Sequence, residues 1–231
     1  MIKSTRYSGF KKISGRVIVA LILFFSINSV HANYNPEMVE QRLEKLISSM
    51  TLEQKVGQMV QGNITHVTPD DVSRYFLGSV LNGGGSWPNG RKESSIYDWL
   101  TAADNYFQAS LDTRYGSAGI PIIWGTDAVH GHNNVKGATL FPHNVALGAA
   151  RNVELVREIG EATAREVSVT GLDWVFAPTI AVSIDRRWGR AYESYSDDPE
   201  LVGSYASAMV LGLQGSLGQL SEPGRVIATA K

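Results

Sequence analysis

One stretch constrains the fold more than any other: residues 119–144, GIPIIWGTDAVHGHNNVKGATLFPHN. It opens as a strand, with Ile120, Ile122, Ile123 and Trp124 in a short apolar run and Pro121 near its start, where a strand tolerates proline. At Gly125 the run breaks into a polar loop carrying Asp127, His130, His132, Asn133 and Asn134. Gly131 and Gly137 let that loop turn tightly, and Phe141-Pro142 close it before a second polar pair, His143 and Asn144. A buried strand that empties its polar residues into one loop is how α/β proteins build active sites at the carboxyl ends of their strands.

The chain around it alternates in the same sense. Asn35-Pro36 reads as an N-cap with proline at the first helical position, and Val39, Leu43, Leu46, Ile47 and Met50 then repeat at helical spacing as the core-facing side of a helix. Thr51-Leu52-Glu53-Gln54 fits a capping box and predicts a second core helix running to about Gln61. A short strand is expected over 78–81, stopped by Asn82-Gly83-Gly84-Gly85. This triple glycine is no phosphate cradle, since neither Lys-Ser/Thr nor GxGxxG follows. Residues 96–111 read as a helix with Leu100, Tyr106, Phe107 and Leu111 among its apolar positions. Asn152 caps a helix over 153–169 that places Leu155, Val156, Ile159, Ala162 and Val167 on or near one face. A strand at 174–177 ends at Pro178. Asp198-Pro199 opens a helix with Leu201, Val202, Tyr205, Met209 and Leu213 inward, and a last strand is expected over 226–230. Strand, loop and helix in alternation imply a parallel sheet with crossover helices, either a barrel or a doubly wound sheet. The pattern alone does not choose between them.

Residues 1–32 stand apart. Lys3, Arg6, Lys11, Lys12 and Arg16 precede a nine-residue apolar run, 17–25, too short to span a bilayer, and Val30-His31-Ala32 offers small residues for cleavage. This predicts a secretory signal peptide cleaved after Ala32, a secreted or periplasmic destination and no stable membrane anchor. Removing it takes five of the 21 basic residues and none of the 22 acidic ones, leaving a net charge of −6, which argues against nucleic acid as a partner. With no cysteine, the fold must rest on its core rather than on disulfides, and lipid attachment through a cysteine is excluded.

Several side chains are candidates for chemistry. Asp127, just past a strand and beside Gly125 and Thr126, is an active-site carboxylate candidate, although aspartates in such loops also serve as helix caps and turns. Arg190 in Trp188-Gly189-Arg190 offers a fixed fork of donors suited to adjacent hydroxyls or a carboxylate; Glu193, Asp197 and Asp198 are potential ion-pair partners. Arg186 and Arg187 read as loop supports. His130-Gly131-His132 invites a metal reading, similar to the metal-binding loop of amidohydrolase-type barrels, which needs further ligands on later strands; the five histidines include none after His143.

GTDAVHGHNN with ATLFPHN, and then FAPTIAVSIDRRWGRAYESYSDDP, resemble two consecutive strand-loop units of glycoside hydrolase family 3, the β-glucosidase and exo-glucanase family. Weaker similarity runs from about Asn35 to Lys231. The resemblance implies an α/β fold, the N-terminal part of a (β/α)8 TIM-type barrel with about five of its eight units, over residues 33–231. It implies retaining hydrolysis of terminal β-D-glucosyl residues through an aspartyl nucleophile, with a β-glucoside or β-glucan oligosaccharide as substrate and no cofactor. It makes Asp127 the acceptor for sugar hydroxyls and Arg190 and Lys231 further substrate-binding residues. It makes His130 and His132 supports of their loop rather than metal ligands, and Glu193 a support for Arg190. Lys231 matches the lysine of a family Lys-His pair; the histidine is absent here, and a terminal lysine is expected to fray. The family's nucleophile, in a Ser-Asp-Trp setting, and its acid/base have no counterpart within the 231 residues. Taken literally the chain is then expected to be an inactive or merely sugar-binding piece, marginally stable because an open half barrel leaves strand edges unpaired. A metal-dependent hydrolase built on His130 and His132 is the other alternative.

Overall fold

The computed structural model describes residues 35–231; the expected signal peptide and its cleavage site lie outside them. The chain divides into two units, Met1–Arg42 and Leu43–Lys231, and the sheet belongs to the second. Helix α1 (Pro36–Ser49) starts as foreseen, with the Asn35 side chain accepting the N–H groups of Glu37 at 3.0 Å and Met38 at 3.3 Å. Its expected core role is not realised, because Val39, Leu43 and Ile47 are exposed and no residue of the helix is buried. Helical spacing puts these side chains on one stripe, but burial needs a facing surface that spacing cannot supply.

Helix α2 (Leu52–Gln58) carries the expected capping box in full: Thr51 Oγ1 accepts from Gln54 N–H and the Gln54 side chain accepts from Thr51 N–H. It stops three residues earlier than expected, and Gln61–Asn63 form strand β1. Nothing in Gln-Gly-Asn alternates in polarity, so the strand was not legible in the sequence. A further helix, α3 (Pro69–Tyr75), was also missed; it is capped by Thr68 and Asp71 and has proline in its first turn. Then follow β2 (Ser79–Asn82), α4 (Ile96–Leu111), β3 (Ile123–Thr126), α5 (Asn144–Ala150), α6 (Val153–Ser168), β4 (Trp174–Val175) and α7 (Pro199–Gln214).

The strands form one parallel sheet in the order β1-β2-β3-β4, which is the order of the sequence, with a helix between each consecutive pair. Val80 pairs with Trp124 and Asn82 with Thr126; Gly125 pairs with Trp174. The expected last strand is reduced to a single bridge between Ile227 and Trp174, yet the chain still runs along β4. Val175 N–H bonds to Ile227 O at 2.9 Å, Ile227 N–H to Asp173 O at 2.7 Å and Thr229 N–H to Ala177 O at 2.9 Å. The pairing continues past Pro178, whose carbonyl accepts from Lys231 N–H at 3.0 Å.

One sheet face is dry. Val80, Trp124 and Val175 are buried, and the Trp124 ring meets Trp99 at 5.9 Å and Tyr106 at 5.4 Å between centroids. The α4 stripe is therefore Trp99, Tyr106 and Ser110, whereas Phe107 and Leu111, counted among the helix's apolar positions, are exposed. The rotational setting of α4 follows the large Trp124 ring rather than the apolar count. On α7 the expected Val202, Tyr205, Met209 and Leu213 are buried, each contributing roughly 1.5–3 kcal/mol. On α6, Val156, Ile159 and Val167 are buried, while Leu155 stays exposed.

Helices α6 and α7 meet at two glycines. A Cβ on Gly212 would sit 2.3 Å from Arg157 O and 2.9 Å from Gly160 Cα, whereas Gly203 on the same helix has nothing within 4 Å. Gly203→Ala is accordingly expected to stabilise the protein by about 0.5–1 kcal/mol through helix propensity. Gly212→Ala, which gains the same propensity, is expected to destabilise it by about 1–3 kcal/mol through overpacking. Urea denaturation of the two variants checks the opposite signs; a stabilising Gly212→Ala contradicts the close crossing.

Candidate active site

The polar residues singled out in the sequence gather at the carboxyl ends of the parallel strands. Asn82 ends β2 and leads into Gly83-Gly84-Gly85; Asp127 follows β3 directly; Arg190 and Glu193 lie in the long loop after β4; Lys231 follows the segment bridged to β4. Lys231 Nζ donates to Asp127 Oδ1 at 2.9 Å across 104 residues of sequence, both side chains being one-third exposed. The expected fraying of Lys231 is not seen: its N–H bonds to Pro178 O at 3.0 Å and its carbonyl accepts from Ile180 N–H at 2.7 Å. The other carboxylate oxygen, Asp127 Oδ2, lies 4.0 Å from the place a Cβ on Gly83 would take, so the triple-glycine turn leaves that side open.

Arg190 grips Glu193 with two parallel bonds, Nε to Oε1 at 2.7 Å and Nη2 to Oε2 at 2.8 Å. The hydrogen bond from Arg190 holds the Glu193 carboxyl below its usual range, helped by the positive charges of Arg190 itself and Lys231. The Arg190 guanidinium is in turn raised, by its bond to Glu193 first and by Asp127 at longer range. Asp127, Lys231, Arg190 and Glu193 thus share one electrostatic neighbourhood. Glu193 is the less exposed partner of its pair, at 16% against 57% for Arg190. It anchors an arginine whose outer edge faces solvent.

The remaining acidic candidates are occupied elsewhere. Asp198 caps α7 by accepting from Glu200 N–H at 3.0 Å, Asp197 faces Arg186 at 3.7 Å, and Arg187 pairs with Asp185. The two histidines of His130-Gly131-His132 part company. His130 Nδ1 lies 3.2 Å from Phe141 O, bracing the far arm of its loop. His132 is fully buried, with Nε2 2.9 Å from Thr170 Oγ1. Thr170 spends its own hydroxyl proton on Val167 O, so His132 Nε2 carries the proton of a neutral ring. Among the described residues no group of three or more metal-ligating side chains occurs.

Three residues of this region were not singled out as site residues. His143 stacks on His130 at 4.3 Å and meets Tyr192 edge-on at 4.8 Å. Asn144, buried at the start of α5, donates from Nδ2 to Glu193 O at 2.7 Å. The only signal for His143 and Asn144 was their place in Phe-Pro-His-Asn, at the exit of the long loop; for Tyr192 there was none.

An acceptor-only carboxylate with an open oxygen, an ammonium and a guanidinium at neighbouring strand ends suit a neutral ligand rich in hydroxyls, each of which can both donate and accept.

Comparison with known proteins agrees with this chemistry. Residues 51–231 match the Glycosyl hydrolase family 3 N terminal domain, and the chain belongs to that family. It is 33% identical over 197 residues to a lysosomal beta glucosidase of Dictyostelium discoideum, covering 78% of this chain and 24% of the relative. It is 28% identical over 180 residues to a periplasmic beta-glucosidase of Salmonella typhimurium, covering 78% and 21%. Among solved structures, the exo-1,3/1,4-beta-glucanase ExoP from a Pseudoalteromonas species superposes with a TM-score of 0.81 at 52% identity, over 84% of this chain and 24% of that one. A beta-glucosidase from Listeria innocua, solved with glucose, gives a TM-score of 0.64 at 29% identity over 83% and 26%. The chain therefore spans about a quarter of the length of these relatives.

Burial lowers the His132 imidazole to about 4. The ring is neutral in the fold and charged in the unfolded chain below its ordinary value of 6.5, so its contribution is intact above pH 6.5 and is lost as pH falls towards 4. The loss amounts to about 3 kcal/mol at the acid end of that window. Unfolding free energies measured from pH 7 to pH 4 are expected to fall more steeply in the natural protein than in His132→Gln; equal slopes would show that His132 is not held neutral.

Proposed function

We propose that this chain is the substrate-gripping, N-terminal part of an exported retaining β-glucosidase or exo-β-glucanase. It contributes about five of the eight βα units of a (β/α)8 barrel over residues 33–231. The observation that carries the reading is the contact between Asp127 and Lys231 at 2.9 Å, with Arg190 and Glu193 in the same electrostatic field, all on strand carboxyl ends. Sequential strand order supports a barrel, since a doubly wound sheet reverses its order at a switch point. Leu81, Ile123, Trp174 and Phe176, half-buried on the face away from α4, are then the interior lining.

In this reading Asp127 accepts hydrogen bonds from hydroxyls of the terminal glucosyl residue through Oδ2, while Lys231 and the outer edge of Arg190 donate to its oxygens. Glu193 keeps Arg190 in place, and His130 and His132 shape the loop that carries Asp127. Hydrolysis with retention needs a nucleophile and an acid/base about 5–5.5 Å apart. The residues here hold the sugar against them. The relatives named as beta-glucosidases and an exo-glucanase, and the Listeria innocua enzyme solved with glucose and, as a mutant, with laminaribiose, support a β-linked glucosyl ligand. The basic stretch and apolar run of residues 1–32 support export.

The test is hydrolysis of an aryl β-D-glucoside by protein expressed from the complete reading frame that encodes this chain. Asp127→Ala is expected to lower kcat/KM about 100-fold or more, since it removes a charged acceptor of two hydrogen bonds. Arg190→Ala is expected to lower it about tenfold or more. Near-normal kcat/KM for Asp127→Ala defeats the reading, and activity that tracks bound zinc through a chelator titration favours the metal alternative.

A further inference from the structure

We propose that Asn144 is a positioning residue for the sugar-binding arginine, acting through the backbone of Glu193; the inference rests on the functional reading above. The loops after β3 and β4 bring Asp127 and Arg190 to the site from separate strands, and something must fix one loop against the other. Asn144 is the first residue of α5, the short helix that ends the β3 loop, and only 4% of its surface is exposed. Its Nδ2 donates to Glu193 O at 2.7 Å, across 49 residues. Glu193 closes the short turn Ala191–Glu193 that begins just after Arg190, and its carboxylate takes both bonds of the guanidinium.

The contact is part of a seat, not an isolated bond. A Cβ on Gly148, one turn further along α5, would lie 1.6 Å from Tyr195 O, so this helix touches the backbone just beyond Glu193 directly. Tyr205 on α7 donates to Leu147 O at 3.1 Å and fixes α5 from below. Packing sets how close α5 and residues 194–195 come. Among the described residues Asn144 supplies the hydrogen bond to Glu193 O, and so sets the turn that aims Arg190. The Asn144 Oδ1 is buried and has no partner among the described residues. The amide is thus kept buried with one fixed bond, the one to the turn.

A carboxylate at this position cannot donate to Glu193 O, and an alanine leaves that carbonyl without its partner. Both changes free the turn, and Arg190 loses its direction towards the sugar. The experiment measures KM for an aryl β-D-glucoside with protein from the complete reading frame, for Asn144→Ala, Asn144→Asp, Arg190→Ala, the double variant Asn144→Ala/Arg190→Ala, and Asp127→Ala. Loss of fold lowers the number of active molecules but leaves KM unchanged, so KM separates positioning from structure. The expected result is a KM raised about tenfold in Asn144→Ala, at least as much in Asn144→Asp, and no further rise when Asn144→Ala is added to Arg190→Ala. Asn144→Asp keeps the side-chain shape and carries the test if the alanine variant does not fold. An unchanged KM, or additive effects in the double variant, overturns the proposal. If instead Asp127→Ala and Arg190→Ala behave as the natural protein while Asn144 variants still raise KM, the functional reading fails and Asn144 acts on another site.

Discussion

Everything in the site depends on strand β3 being held on both flanks. It pairs in parallel with β2 through four residues and with β4 through two, and its register fixes which side each residue faces. Trp124 points to the helices, where Trp99 and Tyr106 enclose its ring and its indole N–H finds Asn82 Oδ1 at 2.8 Å. Gly125 points the other way, where a Cβ would meet the Phe176 ring at 2.5 Å and Trp174 at 2.9 Å. A slip of one residue would drive the tryptophan onto the Phe176 side and leave its indole N–H without a partner. Asp127 emerges where it does because these two residues cannot exchange faces.

The site itself is built from mutual satisfaction of charge. Lys231 and Asp127 neutralise one another, and Arg190 and Glu193 do the same, so four ionised groups share a partly exposed surface without an unpaired buried charge. A carboxylate has about four lone-pair sites, and Lys231 uses one of them on Asp127. The remaining acceptor capacity is what a hydroxyl-bearing ligand can use. The glycine turn after β2 keeps side chains away from that oxygen, His130 ties the two arms of the β3 loop together, and His132 pins the loop to Thr170 beyond the end of α6.

Much of this is legible in the sequence alone. The Asn35, Thr51, Asn152 and Asp198 caps are visible in the chain because capping is a contact within three residues. The long helices at 96–111 and 199–214 were visible too, and so was the alternation that implies a parallel sheet. Asp127 stood out as a polar residue thrown up by an apolar strand. The short strand β1 and the helix α3 were not visible, since three residues without alternation, or seven with few apolar ones, fall below what periodicity can register. The burial of Trp99 in place of Phe107 and Leu111 was equally hidden, because it depends on what stands opposite the helix.

The sequence by itself therefore determined most of the longer elements, several of their caps, the parallel α/β class, the family and the loop residues able to do chemistry, but not β1, α3 or α5. The features it determined are set by spacing along the chain and by short-range hydrogen bonds. Tertiary structure alone decided that Lys231 reaches Asp127 and that His132 is buried against Thr170 while His130 remains nearer the surface; the support of Arg190 by Glu193, implied by the family resemblance, took from it only its two-bond geometry. It alone placed Asn144 under Glu193. The contacts of Lys231 with Asp127, His132 with Thr170 and Asn144 with Glu193 join segments tens of positions apart, and no periodicity in a chain encodes which loop will face which until the sheet has set their order.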